Sequence, residues 1–368
     1  MKFLLEILGM TNYCNLNCNY CDWDKDIYTK LSDKEIVNLK RNIRNVRNYV
    51  DINYPEIQLV EYSGGEPFMY PEVIEEILEI FDDKWIRIIT NGLLVKDEHI
   101  KKIKNHGRTF VAVSLDGHNI NMNNARFAND VNKFYKVLET IDKLVENEIP
   151  TMILCTISQN NIGEFSQYIS FLEERYSEAI YKGRFVLPAH SVSDYGKDRN
   201  RAQEDAGQQF IKFITDEGNN HLLIDRIRVH YENLAYFLIN RHRFRHCKLY
   251  DWSVSIHFRG REIVQEGNFN SFGCGMRGLI DCGIKNINSN DELNEYTKEL
   301  SVMSEQFENA LSIPYQCNKE CFVDWEAFDL ILNGNISVSQ AEEWFVIFRD
   351  EKVKNFIKEY VNLLDCKR

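Results

Sequence analysis

Hydrophobic and polar positions alternate in two rhythms along the first half of the chain. Short apolar runs recur, most of them ending in Gly or Ser: residues 2–10 (KFLLEILGM), 56–64 (EIQLVEYSG), 85–92 (WIRIITNG), 109–117 (TFVAVSLDG), 151–158 (TMILCTIS) and 183–189 (GRFVLPA). Their length, and their Ile, Val, Thr and aromatic content, predict strands. Between them lie charged segments with apolar residues at helical spacing, such as PEVIEEILEIFDD, DVNKFYKVLETIDKLVEN and IGEFSQYISFLEERY. A further helix is predicted where Ser32 is followed three residues on by Glu35, a capping box ahead of a 3.6-period stretch. Six strands alternating with helices predict an α/β fold, a parallel sheet with helices outside it, open or closed into a partial (β/α)6 barrel like a TIM barrel. In such a sheet the functional groups collect at the carboxyl ends of the strands.

The rhythm changes after residue 193. Residues 194–209 (DYGKDRNRAQEDAGQQ) are polar and charged and read as a connecting segment or a solvated helix. Farther on, WSVSIHFRGREIVQ (252–265) alternates on both sides of Arg259-Gly260 and predicts a hairpin. The expected division is a core domain over 1–200, a helical connection over 201–245, and a cysteine-rich domain with terminal helices over 246–368. No internal repeat stands out.

Composition narrows the function classes. With 368 residues, 44% of them hydrophobic, the chain can fill a sizeable core. Its apolar runs fall short of the roughly 18 to 20 residues that span a bilayer, so no membrane partner is expected. The formal net charge of -12 argues against nucleic acid, which needs clustered Lys and Arg. Ten cysteines without an export signal read as metal ligands or buried thiols in a reducing, cytoplasmic setting.

Three of those cysteines, Cys14, Cys18 and Cys21, form a C-x3-C-x2-C run. Four thiolates would close a zinc or iron-sulfur site, whereas three leave one metal position open. An odd number of thiols is a poor disulfide framework. A zinc knuckle completed by a remote fourth ligand is the alternative.

This run, with Tyr20 just before its third cysteine, resembles the signature of the radical S-adenosylmethionine (radical SAM) superfamily. Gly64-Gly65-Glu66-Pro67 resembles that family's GGEP motif, and TNG (90–92), VSLDG (113–117) with Arg126, and TISQNN (156–161) are similar to the ends of its later strands. The resemblance implies that Cys14, Cys18 and Cys21 hold three irons of a [4Fe-4S] cluster. The fourth iron would be left for the amino and carboxylate groups of S-adenosylmethionine. It further implies that Gly64 and Gly65 let the backbone approach the methionine moiety, that Glu66 accepts from its ammonium, and that Pro67 fixes the turn. Ser114 and Asn161 would reach the ribose, and Arg126 the methionine carboxylate, with Tyr20 on the same cofactor. Reductive cleavage of the sulfonium would give a 5'-deoxyadenosyl radical that abstracts hydrogen from a substrate. A low-potential donor such as flavodoxin or ferredoxin would supply the electron. The resemblance assigns no acid, base or hydrogen-atom donor.

Beyond the core, Cys247, Cys274, Cys282, Cys317 and Cys321 are similar to the auxiliary-cluster cysteines of the SPASM/Twitch branch. There, two cysteines flank a hairpin, the second shortly after a glycine. Here Cys247 and Gly260 are followed by Gln265 at the position of the second thiol, and CNKEC departs from the more usual C-x2-C. Five thiols are too few for two fully Cys-ligated four-iron clusters, so one auxiliary cluster is expected, with buried thiols or a zinc site as the alternative. Cys155 and Cys366 are expected to play no part. For this branch the resemblance implies a ribosomally made peptide as substrate, or a small polar molecule such as an aminosugar. With Cys14 so near the first residue, leader recognition would fall to a separate protein or to the C-terminal region.

Overall fold

The computed structural model describes residues 1–8, 13–21, 30–158, 160–186, 199–216, 220–226, 228, 231–232, 253–257, 270–271, 331 and 334–365. The predicted rhythm is the observed one. Strand β1 (Leu4–Leu8) leads to α1 (Asp33–Asn53) and β2 (Leu59–Ser63), then α2 (Pro71–Ile80), β3 (Trp85–Thr90) and α3 (Asp97–His106). Strand β4 (Thr109–Ser114), α4 (Asn124–Phe127), α5 (Val131–Glu146), β5 (Thr151–Leu154), α6 (Phe165–Tyr181) and β6 (Phe185–Val186) complete it. All six strands are parallel neighbours in the order β6-β5-β4-β3-β2-β1. With helices packed outside, they make the α/β partial barrel that the sequence predicts.

Local chemistry explains the elements. Ser32 Oγ accepts from the Glu35 N–H while Glu35 Oε2 accepts from the Ser32 N–H at 2.7 Å, so the capping box is closed in both directions. Helix α5 starts on Asp130, whose carboxylate accepts from Asn132 and Lys133, and it buries Phe134, Val137, Leu138, Ile141 and Leu144 along one stripe. All five residues of β2 are buried, as expected of a strand covered on both faces. Glu61 and Arg87 lie side by side on β2 and β3 and pair with each other inside that sheet. A buried charge persists in such a place only with a partner.

The sheet extends past the predicted core. Strand β7 (Ser253–His257) lies parallel to β1 on its other side, with Leu5 opposite Val254. Strand β8 (Asn270–Ser271) is antiparallel to β7, placing Ile256 opposite Ser271 and His257 opposite Asn270. Strands β7 and β8 are consecutive antiparallel neighbours, as the predicted hairpin requires, but their register centres the connection beyond Arg259-Gly260, which lies outside the described residues. Alternation gives the strand but not all of its neighbours: besides β8, β7 lies along the open edge of β1 from Leu4 to Leu8.

The polar stretch begins a real helix. Helix α7 (Arg199–Asp216) ends in Phe210, Phe213 and Ile214, all buried, and Phe165 meets the rings of Phe210, Phe213 and Tyr231 at 5.3, 5.4 and 6.5 Å. Helix α8 (Leu222–Asp225) follows. At the far end of the chain, α9 (Val338–Trp344) and α10 (Glu351–Asp365) close the amino ends of the strands. Asp350 accepts from Trp85 Nε1 at 3.2 Å and from Arg108 Nε at 3.3 Å, at the starts of β3 and β4. The rings of Phe3 and Phe356 lie 5.2 Å apart just before β1. Gly183 sits at φ +69°, its carbonyl accepts from the Val346 N–H, and a Cβ there would lie 2.8 Å from the Glu343 oxygen, so glycine is required at this contact. With the amino ends covered, the carboxyl ends carry the loops.

Candidate cofactor site at the strand ends

Residues 13–21 lie across the carboxyl ends of the strands, and Cys14, Cys18 and Cys21 are half-buried thiols within them. Leu16, buried at their centre, anchors the segment to the core. The Glu66 N–H donates to the Tyr13 carbonyl at 3.0 Å, which fastens the segment to the turn after β2. Asn91, just past β3, donates through Nδ2 to Asn15 Oδ1 at 2.8 Å and to Cys14 Sγ at 3.8 Å. The Asn19 N–H donates to the Ala125 carbonyl at 3.1 Å, and the Tyr20 hydroxyl to Asp116 Oδ2 at 2.6 Å, which ties the segment to the end of β4 and to α4.

The turn after β2 holds Gly64, Gly65, Glu66 and Pro67. Pro67 opens a short 3-10 turn capped by Glu66. The Glu66 carboxylate is fully buried, yet Oε1 accepts from the Thr90 hydroxyl at 2.6 Å and the Phe68 N–H at 3.1 Å, and Oε2 from the Asn91 N–H at 2.7 Å. Burial pushes its pKa up while these three bonds oppose the shift. The carboxylate that the sequence offers to an ammonium group is thus engaged by donors of the protein. It fixes the turn that carries the glycines to the end of β3.

Ser114 ends β4, half-buried and in register with Leu154. Arg126 is buried and pairs with Asp116 through Nε at 3.2 Å and Nη2 at 3.1 Å, and its guanidinium lies 5.5 Å over the Tyr20 ring. Burial acts against its charge, but Asp116 outweighs that and holds the guanidinium well above its ordinary range. Burial likewise pushes the Tyr20 hydroxyl up. Asn161 is buried among protein partners. Its Nδ2 donates to the carbonyls of Asp116 at 2.9 Å and Thr156 at 2.8 Å, and its Oδ1 accepts from the Ser158 N–H at 2.8 Å. A carboxamide with both donors and its acceptor so engaged fastens the β5 loop to the β4 loop. Cys155 is buried, and burial pushes its thiol up.

Sequence reasoning did not single out Asp116, Asn91 or Asn123. Asn123 accepts from the Asp116 N–H at 2.8 Å and donates to the carbonyls of Gly117 and Asn119. The asparagine-dense NINMNNARF (119–127) was the available signal, because asparagines so crowded bond to nearby backbone. Gly117 is required in the same loop, since a Cβ there would collide with Met122.

Residues 8–172 match the family model of the Radical SAM superfamily. This part of the chain is a radical SAM domain. The chain is 28% identical over 186 residues to the Fe-coproporphyrin III synthase of Methanosarcina barkeri (strain Fusaro / DSM 804), covering 48% of this chain and 44% of that protein. It is 25% identical over 195 residues to the sporulation killing factor maturation protein SkfB of Bacillus subtilis (strain 168), covering 52% and 43%. The chain thus spans about half the length of the curated relatives it matches. The fold is similar to that of anSMEcpe solved with bound AdoMet and the Cp18Cys peptide, at a TM-score of 0.54, 14% identity, and coverage of 98% of this chain and 99% of that one.

The donor set of the radical SAM domain fits an iron-sulfur cluster in kind. Three soft thiols share one clamped segment, and Cys14 Sγ already accepts from the Leu16 N–H at 3.4 Å and from Asn91, the type of bond that tunes cluster sulfurs. Among the described residues no three His, Cys, Asp or Glu side chains are drawn into one coordinating group. Cys247, Cys274, Cys282, Cys317, Cys321 and Cys366 lie outside the described residues. Among the described residues no helix is long and apolar enough to cross a membrane.

Proposed function

We propose that this chain is a radical SAM enzyme whose substrate is a ribosomally made peptide or protein, modified by crosslinking, epimerisation or oxidation. The observation that carries the reading is the fastening of the Cys14, Cys18 and Cys21 segment to the ends of β2, β3 and β4, where the GGEP turn and Arg126 also stand. In this reading the three thiolates hold the [4Fe-4S] cluster. When bound, the cluster and S-adenosylmethionine would supply radical chemistry able to abstract hydrogen from a C–H bond. The chain's own residues do the positioning. Gly64 and Gly65 admit the methionine moiety, Arg126 meets its carboxylate, Ser114 stands toward the ribose, and Leu16 and the core beneath exclude water.

Similarity to SkfB, and to the fold of a protein solved with a bound peptide, supports the peptide substrate. Similarity to the Fe-coproporphyrin III synthase favours a second reading, in which the same chemistry acts on a small molecule. One auxiliary iron-sulfur cluster in residues 246–368, held by Cys274, Cys282, Cys317 and Cys321 with Cys247 as a fifth thiol, completes the proposal, with core and connection over 1–200 and 201–245.

Anaerobic reconstitution followed by reduction should give a brown protein that forms 5'-deoxyadenosine. Replacing Cys14, Cys18 and Cys21 together by Ala should remove about four irons and abolish that product. Cleavage retained in the triple variant would overturn the assignment. Co-expression with a short open reading frame neighbouring the gene, read as a mass change in its peptide, separates the two substrates.

A further inference from the structure

The hydrogen bonds at the strand ends converge on a carboxylate to which the proposed chemistry gives no part. Asp116, just past β4, is 2% exposed. Its Oδ2 accepts from the Tyr20 hydroxyl at 2.6 Å and from Arg126 Nε at 3.2 Å. Its Oδ1 accepts from Arg126 Nη2 at 3.1 Å and from the Thr156 N–H at 3.0 Å. The backbone of the same residue is held as well, its N–H by Asn123 Oδ1 and its carbonyl by Asn161 Nδ2. The carboxylate therefore has one orientation, set from the loops after β4 and β5.

Two of its partners matter to the cofactor. Tyr20 lies between Cys18 and Cys21, and Arg126 is the guanidinium proposed for the methionine carboxylate. A carboxylate that takes the Nε and Nη2 edge of a guanidinium fixes the plane of the group, and Nη1 lies outside that pair. The same oxygen that receives Nε receives the Tyr20 hydroxyl, so the cysteine segment and the guanidinium are referred to one point.

We infer that Asp116 is the positioning residue of this site: it aims Arg126 at the carboxylate of S-adenosylmethionine and locks Tyr20, with Cys18 and Cys21 on either side, over the same strand ends. This rests on the radical SAM reading. Asparagine at 116 keeps the size but replaces one charged oxygen by an amide that cannot accept, so the bidentate pair is lost and Arg126 turns.

The decisive comparison is between S-adenosylmethionine and its decarboxylated analogue, which keeps the sulfonium and the adenosine. Anaerobic calorimetry on the reconstituted full chain should find the wild type binding S-adenosylmethionine about tenfold more tightly than the analogue, a difference of ~1.4 kcal/mol. In Asp116→Asn that ratio should fall to about one, mainly through loss of affinity for the carboxylate-bearing ligand. A carboxylate that merely supports the fold would weaken both ligands equally and leave the ratio intact, which overturns the inference. A second arm uses cluster-free protein. Iodoacetamide labelling followed by peptide mapping should be several-fold faster at Cys18 and Cys21 in Tyr20→Phe than in wild type, with Cys14, held from Asn91, unchanged. Equal rates at all three thiols overturn the locking role. Should Asp116→Asn fail to fold, Asp116→Glu takes its place in the ligand arm: it keeps the charge but displaces the carboxylate from the Nε and Nη2 edge of Arg126, and the ratio should fall there too. A wild-type chain that assembles no cluster and binds neither ligand removes the radical SAM reading and the inference with it. A wild type that binds both, with the ratio kept in the variants, removes the inference alone.

Discussion

Glu66 is surrounded by donors, and that arrangement decides what its replacement does. Three hydrogen bonds from Thr90, Asn91 and Phe68 converge on a fully buried carboxylate. Glu66→Gln keeps the shape but turns an NH2 toward a protein donor, leaving a buried group unmatched. Urea denaturation should show a loss of about 1 to 3 kcal/mol, with the segment around Cys14 loosened because the Glu66 N–H also holds Tyr13. A variant as stable as the wild type would mean that the turn does not depend on the carboxylate. Asp116 and Asn161 follow the same rule at this scale, since each spends its polar atoms on fastening one loop to another.

At the scale of elements, α10 is the clearest case of a helix whose role depends on where it docks. Asp350 precedes it, caps it through the Lys352 N–H at 2.9 Å, and reaches Trp85 and Arg108 across the strand starts. Burial pushes the Asp350 carboxyl up, but these bonds outweigh it and hold its pKa below the ordinary carboxylate value. The folded pKa therefore lies below the unfolded one, and the stabilisation is present above the unfolded value and lost as pH falls through the folded one. Asp350→Asn keeps the cap but removes the charge facing Arg108, and should lower the unfolding free energy by about 0.2 to 1 kcal/mol at neutral pH. The gap between variant and wild type should narrow below about pH 4. Chemical denaturation at several pH values measures both, and a gap independent of pH would show that the charge of Asp350 contributes nothing.

For the whole molecule, the question is whether the C-terminal cysteines add a second metal site. If they do, Ala at Cys274, Cys282, Cys317 or Cys321 should lower iron content while the cluster at Cys14 persists and reductive formation of 5'-deoxyadenosine survives. Substrate turnover should fail. Stability should fall too, because a metal site that closes a long loop contributes folding free energy. Full iron content and normal turnover in all four variants would leave these thiols without a cluster. Strand β7 and helix α10 both join residues after 250 to the partial barrel, so the two halves of the chain share one sheet and one core.

The sequence by itself determined whatever is encoded within a few residues. The capping box at Ser32, the apolar stripe of α5, the six strand segments and the thiol spacing each depend on near neighbours in the chain, where the helical and strand periods act directly. The tertiary structure alone decided which ends meet. Tyr20 and Asp116 are 96 positions apart, Cys14 and Asn91 77, and Trp85 and Asp350 265. No local pattern carries such pairings, because they arise only when parallel strands bring all their carboxyl ends to one side and their amino ends to the other. The same alternation that marked β7 as a strand could not say that it would lie beside β1, since main-chain donors and acceptors are alike on every strand and the choice falls to packing.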